Sequence, residues 1–369
     1  MDIQNHYYGH SSVLAAYTGL SRPRHIAGLL QHGWTLVSPL GVHFGDFPRV
    51  GARRGRNLLV WSHHARGWDP ASADRPSVEI GSPFSYLEMM LGERGWAPSG
   101  DGGPVYFPFH GSSVVRITGD QAALAEQVAA ADGPSTVCLH ADDCEDSSIV
   151  NAWARAGHRL VTAGHRHDPD FLLRIMSLLG SASRVSSNRL SSALIYAASM
   201  DVQISVYGDP LVAGVKEQNP LDMAQRTWPE FHLREPDPEV LRPIARRELG
   251  ADAILTAAGL RRALGWADRH RAGPAADYWV GSSLVKAGKV LGLSQRAANS
   301  ATSVPVVRPW VFVRQPLSHL PRGLPRGLKT PVQLVAPVPI ASHPSSVRSG
   351  RWSGHSGPAR EGRAAAEQE

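Results

Sequence analysis

The chain has 369 residues, 42% of them hydrophobic, a length and an apolar share that fit roughly two domains with sizeable cores. Its net charge is +6, but residues 301–369 hold nine of the 38 basic and three of the 32 acidic residues, leaving 29 of each in a neutral first 300. The surplus belongs to the tail, which argues against specific nucleic-acid recognition by the folded part. Two cysteines, Cys138 and Cys144, give no disulfide framework, and Cys138 reads as a small core residue. No run of 18 apolar residues exists, and Met1-Asp2-Ile3-Gln4-Asn5-His6 does not read as a signal peptide, so a cytoplasmic location is expected.

In the first third, short apolar stretches end at small or polar residues. Ile26 to Leu30 stops at Gln31-His32-Gly33-Trp34, Asn57 to Trp61 at Ser62-His63-His64, Ser77 to Ile80 at Gly81-Ser82-Pro83, and Pro104 to Phe107 at Pro108-Phe109-His110. Strands that stop this way mark the carboxyl edge of an open sheet. Val114 to Ile117 and a helix from Asp120 to Ala131 read as a bridge between domains. The pattern is clearest between 134 and 208. Ser135 to Leu139 predicts a strand, Asp146 to Ala156 a helix with Ile149, Val150, Trp153 and Ala154 on one face, and Arg159 to Thr162 a second strand closed by Ala163-Gly164. Pro169 suits the first turn of a helix that runs to about Leu179 and ends at Gly180. Arg184 to Ser186 is a brief strand, Leu190 to Met200 a helix, and Val202 to Tyr207 a strand ending in Gly208-Asp209-Pro210. Such alternation predicts parallel βαβ units with right-handed crossovers. Asp237 to Glu248 and Ala253 to Leu264 read as helices, with more between 266 and 299. Residues 301–340 then hold eight prolines and no acidic residue, including the tandem Leu-Pro-Arg-Gly from Leu320 to Gly327, and 341–369 are rich in Ser, Gly and Arg. This composition buries too little apolar surface to offset the entropy of ordering, so the tail is expected to be mostly disordered, with Val311-Phe312-Val313 a stretch able to dock on the core.

Four constellations carry chemistry. Ser186-Ser187-Asn188 leads from a strand into a helix beginning near Ser191-Ser192. Free amides at a helix start, with hydroxyl donors, make an anion site, although Asn188 or Ser191 also suits plain N-capping. Gly164-His165-Arg166-His167-Asp168-Pro169-Asp170 sets two imidazoles and a guanidinium after a strand, fit to contact nucleotide phosphates. The dimetal pattern His-x-His-x-Asp-His is not met, since Pro169 and Asp170 occupy its last two places. His32, held by the Gly33 turn, suits a general base toward an acceptor hydroxyl. In His140-Ala141-Asp142-Asp143-Cys144-Glu145-Asp146 the acidic run favours the following helix dipole, and Asp142 or Asp143 is also placed to contact a base or sugar hydroxyl. His63, His64 and His110 follow the same logic more weakly.

Taken in order, Gln-His-Gly, Gly-Ser-Pro-Phe-Ser-Tyr (81–86), Phe-Pro-Phe-His-Gly-Ser-Ser (107–113), the acidic loop, Gly-His-Arg-His-Asp, Ser-Ser-Asn-Arg-Leu-Ser-Ser and Tyr-Gly-Asp-Pro resemble bacterial surface-polysaccharide biosynthesis proteins related to polysialyltransferases and wall-polymer glycerophosphotransferases. The resemblance covers roughly residues 26–265. It implies the glycosyltransferase B fold and transfer of a sugar or polyol phosphate from a nucleotide-activated donor, usually without a bound metal. The family's His-Pro motif would fall at His165 or His167, with Asp168 intervening before Pro169. Its paired-Ser motif would match Ser186-Ser187 or Ser191-Ser192, and its acidic motif Asp142-Asp143, with Cys144 where a Gly is usual. Its acceptor-facing loop would match His32.

The expectation is an α/β protein of two Rossmann-like domains facing a cleft: 1–118 on the acceptor side, 119–300 binding the donor nucleotide, and 301–369 a disordered tail. His32, Asp142, Asp143, His165 and His167 are the expected catalytic residues, and Arg166, Ser187, Asn188, Ser191 and Ser192 the expected phosphate-binding set. No cofactor or metal is expected beyond the nucleotide-sugar co-substrate. The expected partners are that donor, a saccharide or lipid-linked acceptor, and a membrane surface met by the basic tail. The alternatives are a nucleotide-sugar epimerase, a metal-dependent hydrolase and a non-catalytic scaffold in polymer synthesis.

Overall fold

A computed structural model describes residues 2–40, 56–68, 76–111, 117–213, 221–267, 272–281 and 323–341, with Leu284 and Arg314. Asp2–Gly9 forms short 3-10 turns interrupted at Tyr7 and Tyr8, and leads into α1 (His10–Tyr17). Strands β1 (Leu29–Leu30), β2 (Leu58–Val60) and β3 (Ser77–Glu79) pair in parallel in that order. Helix α2 (Pro83–Gly92) packs on α1 and starts as the sequence dictates, with Pro83 in its first turn and the Ser82 hydroxyl accepting from the Ser85 amide.

A second sheet follows. Strand β4 (Val105–Tyr106) precedes β5 (Ile117–Thr118), α3 (Gln121–Asp132), β6 (Thr136–Cys138), α4 (Ser147–Arg155), β7 (Arg159–Thr162), α5 (Phe171–Ser181), β8 (Val185–Ser187), α6 (Ser192–Ser199) and β9 (Ile204–Val206). The parallel strands lie in the order β7-β6-β4-β8-β9. The chain thus runs outward from β4 to β7, returns to lie beside β4 as β8, and runs outward the other way. Neighbouring connections leave in opposite directions between β4 and β8, and a doubly wound sheet opens its ligand crevice at such a point. Strand β5 lies outside this sheet and pairs antiparallel with β10 (Val212–Ala213).

Alternation along the strands distributes the core. Tyr106, Val137 and Leu160 join Leu124 and Val128 of α3 and Trp153 of α4 on one face. Val105, Cys138 and Val161 join Leu172 and Met176 of α5 and Leu194 of α6 on the other. That second cluster continues into the three-stranded sheet through Leu30, Leu59, Trp61 and Ile80. Successive strand residues point to opposite faces, so each strand pins a helix on either side. Beyond β10 come α7 (Asp222–Thr227), α8 (Pro238–Glu248) and α9 (Ala257–Leu264), and α8 packs along α6.

Two expectations about organisation change. The boundary at 118 falls inside the second sheet, because β4 is bonded to β6 and β8 at its centre, and the helix read as a bridge is α3, buried against that sheet. Residues assigned to the second unit also return to the first: the Leu249 carbonyl accepts from the Ser82 amide at 2.8 Å, and the Leu264 carbonyl from the Ala27 amide at 3.0 Å. Gly250 permits the return with a left-handed backbone (φ +63°), where a Cβ would lie 1.9 Å from the Trp61 carbonyl oxygen.

Within the tail expected to be mostly disordered, 323–341 is seated on the fold. The Arg326 carbonyl accepts from the Ser12 hydroxyl at 2.9 Å, the Arg326 side chain pairs with Asp170, and Leu328 and Val332 are buried. Strand β11 (Val338–Pro339) then pairs antiparallel with β7. Prolines fix the extended backbone, and Leu328 and Val332 supply the apolar contacts that the composition as a whole obscures. Val311-Phe312-Val313, the helices expected across 282–299 apart from Leu284, and most of the remaining tail lie outside the described residues. No helix of the described residues is long and apolar enough to cross a membrane.

Candidate functional site

The carboxyl ends of β4, β6, β7 and β8 and the loop after β1 enclose one cavity of about 680 Å³, within the usual size of small-molecule sites. Its wall takes Phe107, Pro108, Phe109 and His110 from behind β4, and Ser187, Arg189, Leu190, Ser191 and Ser192 from behind β8, the two sides of the reversal point. From the first unit come Tyr8, His10, His32, Gly33 and Trp34. Among the described residues no Asp or Glu lines it.

The loop after β1 is fastened to the second unit. The Trp34 amide donates to the Ser192 hydroxyl at 3.1 Å, and its indole donates to the Glu248 carboxylate at 3.1 Å. Glu248 also accepts from the Arg66 amide, and burial pushes this carboxyl up to about 7. Trp228 stacks edge-on against Trp34 at 5.1 Å and donates to the Leu36 carbonyl at 2.9 Å. These bonds hold His32 close to the start of α6.

That helix start differs from most others. Asp120, Asp146, Asp237 and Thr256 cap α3, α4, α8 and α9 through their side chains. Ser191 holds the cap position of α6 without making that bond, and its hydroxyl oxygen is buried without a partner among the described residues. The plain capping reading therefore does not hold for Ser191. Nor does it hold for Asn188, which is fully buried: its amide oxygen accepts from the Phe109 amide at 2.7 Å, and its nitrogen donates to the Asp209 carbonyl at 2.7 Å. Asn188 is thus corrected from a phosphate ligand to a clasp joining the loops after β4 and β9. Arg189 donates to the Pro210 and Leu211 carbonyls and lies 3.8 Å over the Phe109 ring. Ser187 faces the cavity while accepting from the Arg189 amide at 3.3 Å.

Of the ten expected site residues, His32, Ser187, Ser191 and Ser192 share this wall. The other five besides Asn188 do not line it. Arg166 pairs with Asp142 at 3.0 Å and is set 5.9 Å over the Tyr7 ring. Asp142 is thereby engaged by a guanidinium and does not line the cavity. Asp143 begins a short 3-10 turn, and burial, then Asp142, pushes its carboxyl up to about 6. His165 is exposed and stacks on His167 at 5.0 Å, while His167 meets Tyr7 edge-on at 5.1 Å. The Arg166 carbonyl accepts from the Tyr8 amide at 2.6 Å, so this loop braces the N-terminal turn that feeds the cavity. Gly9 allows the close passage: it is left-handed (φ +73°), and a Cβ there would meet the Pro169 carbonyl oxygen at 2.5 Å.

Four imidazoles line the cavity. His110 and His140 stack at 4.1 Å with rings nearly parallel. Burial, then the Arg166 charge, lowers His32 to about 4, and burial, then His32, lowers His10 to about 3. These two rings are neutral near pH 7. Cys138 also lines the wall, and burial pushes its thiol up to about 12, so it is an undissociated core residue. Sequence reasoning missed His10 and Tyr8. The signal available was the spacing of His10, Val13 and Leu14, which puts a histidine on the apolar face of a helix. His63 lies apart, against the Ser77 hydroxyl at 3.0 Å. No group of three or more His, Cys, Asp or Glu able to hold a metal occurs among the described residues. Compared with models of known protein families and with curated proteins, the chain gives no match.

Proposed function

We propose that the chain is a transferase that takes a nucleotide-activated donor and moves its sugar, or its polyol phosphate, to a saccharide or lipid-linked acceptor. In this reading the six-stranded unit is a Rossmann-like donor half and the three-stranded unit an acceptor half, arranged as in glycosyltransferase B enzymes. One observation carries it: the uncapped start of α6 opens at the β4–β8 reversal point into a cavity with no carboxylate on its described wall. Phosphates seated there meet first-turn amides and the Ser191 and Ser192 hydroxyls, with the helix dipole favouring their charge.

For sugar transfer, the acceptor hydroxyl faces His32. The new carbon–oxygen bond forms as the bond to the leaving phosphate breaks, the electron pair passes to that phosphate, and the acceptor proton passes to the neutral His32 ring. Donors already oriented at α6 stabilise the departing charge. The basic residues beyond 301 support a peripheral place at an anionic membrane.

A thermal-shift screen with nucleoside mono- and diphosphates, UDP-glucose, GDP-mannose and CDP-glycerol tests this. One base series is expected to raise the melting temperature, since ligand at a hundredfold over its Kd stabilises by about 2.7 kcal/mol. Ser191→Asp, which caps α6 and sets a carboxylate where the phosphate lies, is expected to abolish the shift while the unliganded protein melts no lower. Absence of any shift across the whole panel refutes the proposal.

A further inference from the structure

The phosphate end of the cavity has a second wall, supplied by the first unit. His10 starts α1, is 2% exposed, lines the cavity, and its Nδ1 has no partner among the described residues. An unsatisfied buried imidazole nitrogen is costly, and a group of this kind needs a reason. His10 packs edge-on at 6.0 Å against Trp61, and Trp61 lies 6.3 Å from Tyr196 of α6. His32 lies two residues before Trp34, whose amide is bonded to Ser192. His10, His32 and the Ser191–Ser192 start of α6 therefore line the same cavity.

We infer that His10 contacts the leaving phosphate of the nucleotide-activated donor and takes up one proton from solvent when that donor binds. This rests on the transferase reading above and adds a division of labour. The protonated His10 stabilises the charge that forms as the bond to the phosphate breaks, and the neutral His32 receives the acceptor proton. One positive ring disfavours a second close by, so a single proton serves the pair.

The surroundings fit this uptake. The groups facing His10 are His32, Tyr8 at 6.0 Å and the uncharged Trp61 ring. Arg166, with its partner Asp142, acts on Tyr8, and Arg166 acts on His32. Helix α2, packed along α1, meets it with Tyr86 against Tyr17. No carboxylate on the described wall competes for the proton, and burial keeps His10 neutral until an anion arrives.

Calorimetry on the full chain decides the matter, with UDP-glucose, GDP-mannose or CDP-glycerol as the probe, whichever binds. Their esterified phosphates do not titrate near neutrality, so protons counted belong to the protein. Titration in buffers of different ionisation enthalpy is expected to show about one proton taken up per ligand at pH 7.5, and affinity falling by about tenfold per pH unit above it. In His10→Gln the uptake is expected to drop to near zero and the pH slope to flatten, while His32→Gln keeps both; His10→Asn serves if the first variant is unstable. Binding without proton uptake in the unmodified protein overturns this inference and leaves the transferase reading standing. Uptake that survives in a folded His10 variant also overturns it. Failure of all three probes to bind overturns both.

Discussion

Two buried histidines mark the difference between the faces of the six-stranded sheet. Beneath α3 and α4, His158 accepts from the Ser135 amide at 3.1 Å and contacts the Ala125 carbonyl at 3.0 Å. On the side of α5 and α6, His10 keeps a nitrogen with no partner among the described residues. The helix starts follow suit. Asp120 and Asp146 cap α3 and α4, whereas neither Asp170 nor Ser191 caps α5 or α6 through its side chain. On the first face His158 and the two helix starts find their partners within the fold. The second leaves His10 Nδ1 and the Ser191 hydroxyl without partners among the described residues, beside a cavity, the condition under which a ligand supplies them.

On the first face the largest effect is expected at Trp153, fully buried against Tyr106 and bonded through its indole to Gln121 at 3.1 Å. Trp153→Ala is expected to cost about 3–5 kcal/mol in urea unfolding while leaving nucleotide affinity of the folded fraction unchanged. A large affinity loss would show that the two faces do not divide as described. The histidines provide the next test. His158→Leu strands the Ser135 amide and is expected to cost about 2 kcal/mol. His10→Leu removes an unsatisfied nitrogen, and is expected to leave stability equal or higher while weakening nucleotide binding. Equal losses from the two variants would erase the contrast.

The smallest expected effect is in pH dependence. Folded His10 and His32 titrate at about 3 and about 4, and an unfolded imidazole near 6.5. Between those values the unfolded chain holds more protons, so stability falls as pH drops from about 6.5 toward 4 and is untouched by these groups above that window. His10→Leu is expected to flatten the decline by up to about 1.4 kcal/mol per pH unit, read from urea midpoints at pH 7, 6 and 5. A slope identical to that of the parent protein would mean His10 is not held neutral.

Much of the second sheet is legible in the sequence. The runs at 135–139, 159–162 and 202–207 each contain a strand, 184–186 overlaps one shifted by a residue, and the helices between them begin within a few residues of where period and caps set them. Helix α2 was not, because Gly81-Ser82-Pro83 reads as a strand end and is also a cap followed by a first-turn proline. Nor was α1, whose apolar face includes a histidine. The placement of β11 beside β7 depends on contacts more than 170 residues apart, which no local pattern carries. For the site, His32 and the Ser187–Ser192 turn were legible from strand-end position. His10 and the clasp made by Asn188 were not: position along the chain does not say which amide a buried side chain will meet.

Strand periodicity and the caps of α3, α4, α8 and α9 were thus fixed by local chemistry, because each depends on neighbours within a few positions, and the neutral balance of the first 300 residues by composition. Strand order, and with it the reversal point at β4 and β8, depended on which strands share backbone hydrogen bonds. Tertiary structure alone decided that Ser191 leaves α6 without a side-chain cap, that Arg166 engages Asp142, and that His10 lines a cavity with a nitrogen unmet among the described residues, because those properties belong to distances between segments remote in the chain.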